Sequence, residues 1–175
     1  MKIKWGKLLL HIAIPLLVGG ASALLTRGSM ELFSTVQKPP LSPPGWLFPV
    51  VWTVLYILMG IASYRVSESD GTVEQKNRYK TVYTVSLFFN FFWSLIFFNL
   101  QAYWFAFAWL VILWGLILVC MIFAKKMDDV AFWCLVPYLV WVSFAGYLNF
   151  GIALLNEVYF KKWVFCKKIR FFTLV

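Results

Sequence analysis

Five stretches of this 175-residue chain contain no Asp, Glu, Lys or Arg at all: residues 8–26, 47–64, 81–100, 102–124 and 130–156. The chain carries only seven acidic residues against 16 basic ones, one histidine and three cysteines, while 62% of it is hydrophobic. So little charge leaves far more apolar surface than one soluble core of this size could hide, which makes the chain an integral membrane protein. Each charge-free run is near the roughly 20 residues that cross a hydrocarbon core. Lipid offers no partner for backbone N–H and C=O groups, so each run must be helical. Strand alternation is missing, which argues against a barrel. The expected fold is all-α: a bundle of five transmembrane helices formed by residues 1–156, followed by a basic-aromatic tail, 157–175.

Other absences narrow the chemistry. Cys120, Cys134 and Cys166 form no CxxC pair and no even framework, so neither a disulfide scaffold nor a zinc site is indicated and they read as packing thiols. His11 is the only histidine, which excludes a multi-histidine metal site and a Ser-His or Cys-His pair unless His11 itself serves. A lone histidine one turn into the first helix reads as an interfacial or helix-contact residue. No metal and no cofactor are expected. With no ionisable group inside any span to bind a driving ion, proton-coupled export is disfavoured.

The formal charge of +9 invites a nucleic-acid reading, but the basic residues lie at the termini and in short connections rather than on a soluble domain. No nucleic-acid partner is expected, and the charges read as topology signals. Nine Lys and Arg fall in the N-terminal segment and the 65–80 and 125–129 connections, against two, Arg27 and Lys38, in the alternate loops. That bias places the N-terminus in the cytoplasm. Lys161, Lys162, Lys167, Lys168 and Arg170 in the tail argue the other way. Lys2, Lys4 and Lys7 ahead of an apolar run reaching Ala21-Ser22-Ala23 also have the pattern of a cleaved signal peptide. The run continues through Leu24 and Leu25, however, and Gly19, Gly20 and Ala23 offer a small-residue face for close packing, so this helix is assigned to the mature protein. The charged segment 67–80 reads as a solvated loop.

Aromatic residues are what the chain has in abundance, including ten tryptophans. In the third span Tyr83, Ser86, Asn90, Trp93, Phe97 and Gln101 recur every three or four residues and share one helical face. Asn90 should point into the bundle, where it could pair with another helix or with a ligand; residue type leaves the two open. The second span adds Trp52 and Tyr56 one turn apart, and the fifth adds Trp141 and Ala145 with Phe144 beside them. Trp5, Trp104, Trp133 and Trp163 near helix ends suit the interfacial belt. Trp52, Trp93, Trp109, Trp114 and Trp141 sit deeper, and by spacing alone core packing is favoured over a cavity for a flat ligand. The fourth span has no polar group at depth and reads as bundle wall. Pro15 lies within the first span, and Pro137 suits a first-turn position or a mild kink of the fifth. KPPLSPPGWLFPVVW, 38–52, gathers five of the seven prolines in a stiff segment that leads into a helix.

Pro-Pro-Gly-Trp at 43–46 with Trp52 six residues on, Asn90-Phe91-Phe92-Trp93-Ser94 with Phe97-Phe98, and Pro137-Tyr138-Leu139-Val140-Trp141 followed by Phe144-Ala145 and Tyr147-Leu148-Asn149 occur in order across the five spans. Together they resemble the TspO/MBR family of tryptophan-rich sensory proteins, translocator proteins and peripheral benzodiazepine receptors, over about residues 8–156, and suggest a bacterial member. The resemblance implies a homodimeric five-helix receptor or sensor in a bacterial cell membrane, surrounded by membrane lipid. It implies a ligand pocket closed by the loop between helices one and two, which takes porphyrins such as protoporphyrin IX, related tetrapyrroles and hydrophobic drug-like molecules, and a role in their transport. Carried over by motif, Phe33, Pro43 and Trp46 would belong to the lid. Trp52 and Tyr56 would line the pocket from the second helix, Asn90, Trp93, Ser94 and Phe97 from the third, and Trp141 and Ala145 from the fifth. Lys38 and Arg27 are candidates for porphyrin carboxylates, or for lipid headgroups. The resemblance also implies an alternative, light- and oxygen-dependent porphyrin breakdown with Trp52 and Trp141 as the catalytic residues. A further alternative is a small passive transporter or structural membrane protein. The tail departs from the family pattern, although Leu155, Tyr159 and Lys161 satisfy the loose sterol-recognition spacing.

Overall fold

A computed structural model of the chain describes residues 3–29 and 35–172, the side chains of 157–172 excepted. It contains five long helices: α1 (Trp5–Thr26), α2 (Leu47–Glu68), α3 (Val73–Ser94), α4 (Tyr103–Lys125) and α5 (Asp129–Phe172). A 3₁₀ turn, Arg27–Ser29, continues α1, and a π-helical turn, Leu95–Asn99, continues α3. All five have a window long and apolar enough to span a membrane, so the all-α transmembrane bundle expected from the charge-free runs is the fold observed. No strand is present among the described residues.

Two boundaries differ from the sequence expectation, each for a local reason. Residues 73–80 are helical instead of a loop, because Thr72 and Gln75 form a reciprocal capping box. The Gln75 backbone N–H donates to Thr72 Oγ1 at 3.2 Å and the Thr72 backbone N–H donates to Gln75 Oε1 at 2.9 Å. Two otherwise orphaned helix donors are thus satisfied ahead of the apolar stretch. At the other end of the bundle, α5 starts at Asp129, so Pro137 lies two turns inside the helix and not in its first turn. Asp128, just before α5, accepts from the Ala131 N–H at 2.8 Å and from Arg65 at 3.2 and 2.6 Å. Burial alone would raise the Asp128 carboxyl, but these hydrogen bonds and the guanidinium charge outweigh it and hold the group below its ordinary value.

The helices close into a ring in the order α1, α2, α5, α4, α3, with α3 returning to α1. Close approach of α1 and α2 rests on two glycines. A Cβ at Gly60 would lie 2.5 Å from the Ile12 Cα, and one at Gly19 would lie 2.0 Å from the Tyr56 ring. Gly20, by contrast, faces open space, so of the small-residue face only part is used for packing. Buried rings and aliphatic side chains from α2 to α5 fill the centre, among them Met59, Leu113, Tyr138 and Val142. In lipid this dispersion packing, and not removal of apolar groups from water, holds helices together.

Candidate functional site

Where the Pro-rich segment meets the bundle, a cavity of about 470 Å³ opens between α1, α2 and α3. Gly19, Ser22 and Thr26 of α1 form one side, Phe48, Trp52 and Tyr56 of α2 the second, and Trp93, Ser94 and Phe98 the third. Arg27, Lys38, Pro43 and Gly45 complete its mouth. A smaller recess of about 30 Å³ adjoins it, bordered by Phe97, Ala145 and Leu148, with Lys38, Pro43, Phe48, Trp93 and Phe98 common to both.

The aromatic wall has defined geometry. Trp52 stacks on Tyr56 with ring centroids 5.5 Å apart and meets Tyr138 edge-on at 6.2 Å. Trp93 stacks on Phe97 at 5.2 Å, and its indole N–H donates to Asn149 Oδ1 at 3.2 Å. Asn149 Nδ2 in turn donates to the Tyr103 carbonyl at 2.8 Å. One buried amide therefore fixes an indole of α3 against α4 and α5. Thr26 Oγ1 turns back to the Ser22 carbonyl at 3.0 Å, so the polar wall of α1 is held on its own helix.

The π-helical turn aims this part of α3. It adds a residue to the turn and brings Asn99 towards α1, where Asn99 Nδ2 donates to the Leu25 carbonyl at 3.0 Å and Ser29 Oγ donates to Asn99 Oδ1 at 2.7 Å. One orphan carbonyl at the end of α1 is capped from α3 in this way. Gln101, expected on the same helical face as Asn90, falls after this turn with a positive φ of 50° and is not part of it.

The proline-rich segment is fastened to α5. Pro39 sits on Gly151, where any Cβ would lie 2.7 Å from its ring. Asn156 accepts from the Gln37 N–H at 3.1 Å and donates to the Gln37 carbonyl at 2.9 Å, while Tyr147 Oη donates to the Pro40 carbonyl at 2.9 Å. Pro49 occupies the first turn of α2, where its missing N–H is harmless.

Of the site residues expected from sequence, Pro43, Trp52, Tyr56, Trp93 and Ser94 line the main cavity, and Phe97 and Ala145 line the recess. Trp46 is exposed and lines neither, because Gly45 and Phe48 take the inward positions on either side of it. Trp141 stands one ring behind the wall, edge-on to Phe48 at 5.9 Å, with its buried indole N–H unpartnered among the described residues. Asn90 is buried behind Tyr56: Tyr56 Oη donates to its Oδ1 at 2.9 Å, and its Nδ2 donates to Tyr138 Oη at 2.8 Å. The side chain links three helices and does not line either cavity. Phe33 lies outside the described residues. Gly19, Ser22, Thr26 and Phe48 were not anticipated; the buried Ser22 and Thr26, one turn apart on a charge-free helix, carry the signal that could have marked α1 as a wall.

Five helices long and apolar enough to cross a membrane, with an aromatic-lined cavity between α1, α2 and α3 beside a proline-rich segment, define a polytopic integral membrane protein. Residues 11–155 match the model of the TspO/MBR family, and the chain belongs to that family. It is 38% identical to the tryptophan-rich protein TspO of Chlorobaculum tepidum over 150 residues, which cover 85% of this chain and 95% of that one. It is 31% identical to the tryptophan-rich sensory protein of Cereibacter sphaeroides over 160 residues, 89% and 95% of the two chains. Similarity extends to the translocator protein of Bos taurus, 31% identical over 147 residues, 83% and 87% of the two chains. The bacterial relatives support a bacterial membrane as its location.

Proposed function

We propose that this protein is a membrane receptor for tetrapyrroles, protoporphyrin IX and related haem-pathway porphyrins foremost, and that hydrophobic drug-like ligands share the same cavity. The observation that carries this reading is the meeting of the Trp52–Tyr56 stack with Arg27 and Lys38 at one cavity mouth. A porphyrin needs both: a broad apolar face packs on indole and phenol rings, and its carboxylates need cationic donors near the rim. A cavity of about 470 Å³ falls within the range of roughly 300–1,000 Å³ typical of small-molecule sites. Release to either side of the membrane would make the receptor a carrier, and the family resemblance supports assembly as a homodimer. Titration of the purified protein with protoporphyrin IX should give saturable quenching of tryptophan fluorescence. A strictly linear response would remove the proposal.

A second reading, light- and oxygen-dependent breakdown of the bound porphyrin, is favoured by Trp52 alone. Its ring lines the cavity, where an indole can react with oxygen species formed beside an excited macrocycle. Trp141, one ring further back, would act only through Phe48. Under illumination, Trp52→Phe should bleach bound porphyrin more slowly than the wild type, and Trp141→Phe should have the smaller effect. Equal bleaching in the wild type and in a variant carrying both changes would rule out a tryptophan-dependent reaction.

A further inference from the structure

A second and larger hollow, about 770 Å³, lies between α1 and α3 over α2 and shares no lining residue with the cavity described above. It runs along α3 from Lys76 to Phe91, fifteen residues or about 22 Å of helix. That is enough to reach from a headgroup layer past the roughly 15 Å half-thickness of a hydrocarbon core. Its deep half is apolar, with Leu17 and Ala21 of α1 facing Leu87 and Phe88 of α3.

Its outer end is basic. Lys76 and Lys80 both line it, and none of the described residues lining it is Asp or Glu. The nearby acid, Glu68, is already held by Lys4 at 2.6 Å and Lys7 at 3.0 Å, and Glu74 is paired with Arg78. Lys76 Nζ donates to the Ser67 carbonyl at 3.1 Å, which anchors one ammonium at the rim. Lys80 is exposed and has no ion pair among the described residues. Beside them His11 Nδ1 and Ser63 Oγ, 2.9 Å apart, add a polar shelf between α1 and α2.

We infer that this groove is a binding site for an anionic glycerophospholipid of the surrounding leaflet, its phosphate between Lys76 and Lys80 and one acyl chain lying between α1 and α3. Charge complementarity selects the occupant: a basic rim at headgroup level above an apolar slot fits a negatively charged lipid better than a zwitterionic one. An amphiphile lodged there would also fill the space where α1 and α3 diverge, and would stiffen the helix that forms one wall of the aromatic cavity. This assignment does not depend on the tetrapyrrole reading.

Native mass spectrometry of the full chain, with equal amounts of phosphatidylglycerol and phosphatidylcholine added, tests it. The wild type should retain phosphatidylglycerol preferentially, and Lys80→Gln should weaken that preference about fivefold, the effect of one lysine near an anionic surface. Thr84→Trp, which fills the slot from an exposed position, should abolish lipid retention with Lys80 intact. Protoporphyrin affinity, read in parallel, should remain in both variants, which separates failure of the lipid site from failure of the aromatic cavity. Equal retention of the two lipids by the wild type would overturn the inference. So would retention that Lys80→Gln and Thr84→Trp leave untouched, or a groove occupied by a second copy of the chain, seen as a dimer that Thr84→Trp dissociates without releasing lipid.

Discussion

Asn90 shows how a residue type can be read correctly for depth and still not for role. A carboxamide in a charge-free span must find partners, and it does, but both of its groups are taken by Tyr56 and Tyr138. Asn90→Ala would leave two tyrosine hydroxyls without that partner, at a cost of about 1–2 kcal/mol. The expected outcome is a fall of several degrees in the thermal midpoint of the detergent-solubilised protein, with protoporphyrin affinity nearly retained. A collapse of affinity at unchanged stability would instead make Asn90 a ligand contact. Trp93 and Asn149 form a comparable pair, but there the indole keeps a face on the cavity.

Among the elements, the contact of α1 with α2 depends on glycine on both sides. Gly60 faces the backbone of α1, which cannot yield as a flexible side chain can, so Gly60→Val should overpack the contact by about 1–3 kcal/mol or more. Gly20→Ala, into open space one position from Gly19, should be neutral or slightly stabilising because alanine favours helix. Thermal midpoints of the two variants check the contrast, and equal losses would contradict it. The proline-rich segment is a second element whose behaviour follows from few contacts. Asn156 holds the Gln37 backbone by two hydrogen bonds, so Asn156→Ala should loosen the lid and speed porphyrin dissociation about fivefold in stopped-flow measurements. An unchanged off-rate would show that the lid does not gate the cavity.

For the whole molecule, helix order and charge act together. The fold brings Lys4, Lys7, Arg65, Lys76, Arg78, Lys80, Lys125 and Lys126 to the end that carries both short turns between α2 and α3 and between α4 and α5. By the positive-inside rule that end, and with it the basic rim of the α1–α3 groove, is predicted to face the cytoplasm. In a variant with the native cysteines replaced, Asp70→Cys should be shielded from a membrane-impermeant maleimide in intact cells and Gly28→Cys should label. The reverse pattern would invert the topology.

Membrane class and helix number were legible in the residues, because hydrocarbon length and backbone hydrogen bonding in lipid leave only one kind of solution for charge-free runs. The motifs also marked Trp52, Tyr56, Trp93 and Ser94, which do meet at the cavity. Periodicity assigns a side chain to a face of its own helix, but which neighbour that face meets depends on the ring order of the helices. That order sends Asn90 into a tyrosine bridge and Trp141 behind Phe48, and leaves Trp46 outside. The residues by themselves determined that a lipid-embedded aromatic bundle would form. Only tertiary structure decided which rings enclose the cavity, because that depends on long-range packing that no local spacing encodes.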